Sequence, residues 1–111
     1  MPASADVPGI VYRGGSATHA NLTPRPDRDP DGLSVTSILT DAGESGAKAQ
    51  AIDTGRLGES LQLLETPPPE GHCSISPTTE SVDAWAATRA QGSHPLTDLV
   101  RDAIIEVVRI P

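Results

Sequence analysis

The twelve residues "DRDPDGLSVTSI", Asp27 to Ile38, admit two readings, and the choice between them decides the fold. Asp27, Asp29 and Asp31 are spaced two apart and followed by Gly32, as at the opening of a calcium-binding EF-hand loop. Such a loop is entered by a helix and closes on a bidentate Glu at its twelfth position. Here that position is Ile38, and the preceding "LTPRP" carries prolines that deny a helix. The aspartates therefore read as solvated turn formers, and Gly32 as the backbone relief before a strand.

Outward from this point the chain alternates strands and turns, then turns helical. "LSVTSIL", Leu33 to Leu39, alternates apolar and hydroxyl residues and predicts a strand. Upstream, Val7 to Arg13 predicts a first strand, ended by Gly14-Gly15. Between the two lies a polar loop, Ala17 to Gly32, broken by Pro24, Pro26 and Pro30. So long a loop in so small a chain is usually functional or disordered; it reads as a flap leading into the Ser34 strand and lidding a cleft. Downstream, Ala49 to Asp53 suits a short strand, and Ser60 to Glu65 reads as a strand or a helical turn. Pro67-Pro68-Pro69 predicts a stiff, extended connector, and "HCSISP", His72 to Pro77, another strand. A helix then has Glu80 and Asp83 in its first turn, with Val82, Trp85 and Ala86 on one face, and stops at Gly92. A second starts at Pro95 and carries Leu96, Leu99, Val100 and Ala103 at helical spacing. The β-branched tail, Ile104 to Ile110, leaves it as a last strand. Strands early and helices late predict an α+β domain.

The 111 residues suit one domain, with residues 1–6 expected to be flexible. There is no Phe, so Leu, Ile, Val and Ala must fill the core, and Tyr12 and Trp85 stand out as anchors. A net charge of −7, from 15 acids against 8 bases, argues against a nucleic-acid partner. The single cysteine, Cys73, excludes an internal disulfide and suits a reducing compartment. No secretory signal and no apolar run of membrane-spanning length can be read, so the expected location is the cytoplasm, away from membranes.

Most catalytic templates fail. "GESG", Gly43 to Gly46, is one residue short of a nucleophile elbow, and there is no Walker loop or GxGxxG. His72 and Cys73 are strand neighbours facing opposite sides, so they make no dyad. His19, His72 and His94 with one cysteine have no metal-ligand spacing, so no metal is expected. Three features remain. Arg13 ends a strand beside two glycines, where a base suits a phosphate. Ser34 and Thr36 share one strand face, and His72 begins another strand. Each has an ordinary structural reading alone, as a surface charge, an exposed hydroxyl face and a packed imidazole. Together they define a small cleft if the sheet brings their strands side by side.

In order and spacing, "YR" at Tyr12-Arg13, "GLSV" at Gly32 to Val35, "HCSISP" and "LVRDAI" at Leu99 to Ile104 resemble a bacterial group. These are small proteins related to type VI secretion effector toxins with an ADP-ribosyltransferase-like fold, and the resemblance spans Val11 to Ile105. It implies a small split sheet, mixed or antiparallel, gripping NAD as substrate in a cleft. By resemblance, Tyr12, Arg13, Gly14, Ser34 and Thr36 would bind the dinucleotide, and Arg13, Ser34 and His72 would carry the chemistry. A cognate immunity or antitoxin protein is the implied partner. The alternative is a non-catalytic interaction module of such a system that keeps the fold without turnover. One departure is plain: the family's Glu-x-Glu or Gln-x-Glu turn is missing, and only Glu65, Glu70 and Glu80 lie near the His72 strand.

Overall fold

Leu33, Val35, Cys73 and Ile75 alternate with Ser34, Thr36, His72 and Ser74 on two neighbouring strands, giving the sheet one apolar and one polar face. The computed structural model describes residues 9–111, so the expected start of the first strand at Val7 and the flexible segment 1–6 lie outside the described residues. Among the described residues there are six strands: β1 (Ile10–Gly14), β2 (Leu33–Thr36), β3 (Lys48–Asp53), β4 (Leu61–Glu65), β5 (His72–Pro77) and β6 (Ile104–Arg109). They form one sheet in the order β4-β5-β2-β1-β3-β6, and every pairing is antiparallel. With the helices α1 (Val82–Ala86) and α2 (Pro95–Asp102), the architecture is α+β, as the sequence predicts.

The join between β2 and β1, at the centre of the sheet, is the shortest. β1 pairs with β3 from Ile10↔Asp53 to Gly14↔Ala49, and β2 with β5 from Leu33↔Ile75 to Thr36↔His72. Between β1 and β2, however, the register holds only Tyr12↔Thr36. Beyond that rung no further residue pair is in register, and a side chain links the two strands.

Element boundaries differ from expectation where turns intervene. β2 stops at Thr36 instead of Leu39, because the chain turns into a 3-10 segment, Leu39–Asp41. α1 ends at Ala86, well before Gly92, and its N-cap is Ser81, whose hydroxyl accepts from the Ala84 N–H; Glu80 therefore precedes the helix. The triple proline is not extended. It closes the β4–β5 hairpin, since Glu65↔Cys73 pairing requires its ends to meet; Pro67-Pro68 and Pro68-Pro69 are cis.

Helix α2 starts on Pro95, with His94 as the cap, and buries Leu96, Thr97 and Val100 against the apolar face of the sheet. Trp85 is fully buried there beside Leu22 and Ile75. Its indole must find an acceptor because an unpaired buried N–H is costly. Nε1 donates to Thr97 Oγ1 at 3.0 Å, and Thr97 Oγ1 lies 2.7 Å from Thr23 Oγ1, which donates to the His19 carbonyl at 2.7 Å. The loop expected to be polar thus contributes Leu22, Thr23 and Pro24 to the core. Leu22 supplies apolar area where Phe is missing, and Thr23 serves the indole.

Thr97→Val keeps the shape but removes the acceptor and the donor at the middle of this chain. It is expected to lower unfolding stability by about 1–3 kcal/mol, read from urea midpoints; an unchanged midpoint would show that the indole needs no partner.

Candidate functional site

Arg13 is the side chain that links β1 to β2. Its Nη1 donates to the Ser34 carbonyl at 2.9 Å and its Nε to the Asn21 carbonyl at 2.9 Å. It therefore replaces, with a cation, the backbone rung that β1 and β2 do not make. Asn21 is tied back in turn, donating from Nδ2 to the carbonyls of Gly14 (3.0 Å) and Ser16 (2.6 Å). Burial holds the guanidinium pKa below its ordinary value, Asp29 works against that shift, and Arg25 and Arg89 add to it. Asp29 comes from the opening stretch and is buried, accepting from the Arg25 backbone N–H at 2.7 Å. It is thus a structural anchor and not the solvated turn former expected; Asp27 does take a left-handed turn conformation, with φ of 67°.

Ser34 and His72 meet on the polar face. Register pairs Ser34 with Ser74 and Thr36 with His72, so His72 is a diagonal neighbour of Ser34. Ser34 Oγ lies 2.6 Å from His72 Nε2. On the other side of the ring, Nδ1 is 3.0 Å from the Thr66 carbonyl and 2.8 Å from Thr66 Oγ1. A carbonyl only accepts, so Nδ1 carries the proton and Nε2 offers its lone pair to the Ser34 hydroxyl. Thr66 Oγ1 also contacts Ser74 Oγ at 3.0 Å, completing a row of side chains across β2, β5 and the end of β4.

Three cavities meet at His72. One of about 150 Å³ holds Tyr12, Arg13, Gly14, Ser34, Thr36 and Asp41 in its walls. A second, of about 230 Å³, runs under Arg25, Arg28 and Asp31 toward Ser34 and Ser74. A third, of about 330 Å³, lies over the triple-proline turn with Glu65 and Glu70. The loop before β2 thus walls the second cavity, while its earlier part is core.

The residues singled out in the sequence all reach this region, with altered duties. Tyr12, Arg13 and Ser34 line the smallest cavity together with His72. Thr36 lines it too, but its hydroxyl accepts the Ile38 N–H at 3.0 Å and so closes the turn after β2. Gly14 lines it as well, and a Cβ there would strike the Ala42 carbonyl oxygen, so the turn after β2 packs directly on the Gly14 backbone. Cys73 faces the core, away from His72, as strand alternation requires. Thr66 and Asp41 escaped sequence reasoning, since each is an isolated polar residue beside a turn with no motif, and the Asn-Leu-Thr acceptor pattern at Asn21 gives no sign of its contacts with Gly14 and Ser16. Among the described residues no group of three or more His, Cys, Asp or Glu is placed to hold a metal, and no helix is long and apolar enough to cross a membrane.

With this geometry in view, comparison with protein-family models, with curated proteins and with solved structures found no match.

Burial first and Glu65 second push the Cys73 thiol above its ordinary pKa. The unfolded thiol therefore ionises at lower pH than the folded one, so stability is lost as pH rises above about 8.5. Urea midpoints should fall further between neutral pH and about pH 9.5 in the wild type than in Cys73→Ala. Equal falls would remove Cys73 from the pH dependence.

Proposed function

We propose that this chain is an ADP-ribosyltransferase-like domain that binds NAD in the cleft beside the β1–β2 join and transfers ADP-ribose or releases nicotinamide. The observation that carries the reading is the Arg13–Ser34 contact, 2.9 Å from Nη1 to the carbonyl, made between strands that share a single rung and at the wall of an open cavity. The single rung between β1 and β2 supports the split sheet that the resemblance implies. A retained cation suits a diphosphate, and the adjoining cavities extend the cleft beyond the 150 Å³ pocket toward the room a dinucleotide needs.

Loss of nicotinamide leaves a positive ribosyl centre that needs an anion nearby. The family's glutamate turn is absent, but Asp41 stands in the same cavity wall as Arg13 and Ser34. In this reading Asp41 is that anion, while Glu65 and Glu70 face the neighbouring cavity. The reading is that of a toxin of a type VI or toxin–antitoxin system kept in check by an immunity protein.

A second reading is favoured by one specific observation. Glutamate is absent from the walls of the Arg13 cavity, and Asp41 is exposed on a short turn instead of held on a strand. A non-catalytic module that binds a protein or a nucleotide in this cleft needs no such acid.

Titration of the folded protein with NAD, followed by assay of free nicotinamide, separates the two. The first reading expects saturable binding and nicotinamide release. Asp41→Asn should cut release by at least about 10²-fold while NAD still binds. Arg13→Lys, which keeps the charge and loses the planar fork, should weaken NAD binding at least about tenfold. Folded wild type that binds no NAD would leave the interaction module standing; binding without release would do the same for a nucleotide-binding module.

A further inference from the structure

Ser34, His72 and Thr66 form an arrangement that has chemical meaning whatever ligand the cleft takes. The structure assigns Ser34 as a base-activated nucleophile, with His72 as its base and the Thr66 carbonyl as the group that orients the base, acting on acyl esters or similar electrophiles. This inference rests on those three residues and not on NAD.

The geometry meets the requirements for such a pair. A serine hydroxyl is a weak nucleophile unless an adjacent base accepts its proton during attack. Ser34 Oγ is 2.6 Å from His72 Nε2, inside hydrogen-bond reach. The base must offer a lone pair on that nitrogen, and Nδ1 at 3.0 Å from the Thr66 carbonyl ensures it. The ring is held on both edges, so little reorientation accompanies proton transfer. Ser34 and His72 both line two open cavities, so a substrate can approach Oγ from the polar face. Arg13 donates from Nη1 to the Ser34 carbonyl and so holds the backbone that carries Oγ.

The step balances without any further reactant. Ser34 Oγ bonds to the ester carbonyl carbon as its proton passes to His72 Nε2. The C–O bond to the leaving alkoxide then breaks, and the alkoxide takes that proton. Water next attacks the seryl ester and gives a proton to Nε2, which returns it to Oγ as the acid departs. A fluorophosphonate reports the first half: an Oγ–P bond forms, fluoride leaves, and the proton rests on Nε2.

The test is incubation of the full chain with an alkyl fluorophosphonate, followed by intact mass and peptide mapping. The expected result is one adduct per chain, on Ser34, formed at least about 100-fold faster than in the urea-unfolded chain. Ser34→Ala should give no adduct, and His72→Gln should slow labelling at least about 100-fold while unfolding at a midpoint that shows it still folds. Should His72→Gln fail to fold, the wild-type comparison of folded with unfolded chain carries the test alone. No adduct on the folded wild type, an adduct elsewhere, labelling no faster than in the unfolded chain, or full-rate labelling of a folded His72→Gln would each overturn the assignment.

Discussion

The structure depends on one guanidinium placed where two strands share a single rung. β1 and β2 touch at a single rung, and past it Arg13 joins them by donating to Ser34 on one strand and to Asn21 in the loop between. A cation in that place does two things at once. It satisfies carbonyls that would otherwise lose their partners, and it leaves a partly desolvated positive charge at the wall of the cleft.

Around this point the two faces of the sheet divide the labour. Leu33, Val35, Cys73 and Ile75 pack inward under Trp85 and α2, so a slip of one residue would expose the core and bury the polar row. The same alternation fixes Ser34, His72 and Ser74 on the outer face, within reach of one another. Register thus builds the site as a by-product of burying the core. The β4–β5 hairpin adds Thr66, which reaches both His72 and Ser74 because the triple-proline turn folds the chain back on itself.

The loop between β1 and β2 is the other structural element with two duties. Its first half inserts Leu22 and Thr23 beneath Trp85, which compensates for a core without Phe. Its second half bends through Asp29, which holds Arg25, and delivers Gly32 to a place where a Cβ would strike the Ile75 carbonyl. Gly32, with φ of 129°, is the residue that lets β2 start hard against β5.

Much of the frame was legible in the residues themselves. The missing Glu at Ile38 and the prolines in "LTPRP" excluded a calcium loop, and alternation from Leu33 toward Leu39 and over His72 to Pro77 marked two strands, the first of which ends at Thr36. Proline at the start of α2 and β-branched residues after Ala103 marked a helix followed by a strand. These features depend on neighbours in sequence, where spacing and backbone sterics suffice. Asp29 becoming a buried anchor, Thr36 spending its hydroxyl on its own turn, and Thr66 orienting His72 depend on which segments fold together. That Arg13 links β1 to β2, instead of lying on the surface, was decided only by strand order. Contacts between distant segments leave no periodic trace in the chain, because they are set by how the whole core closes.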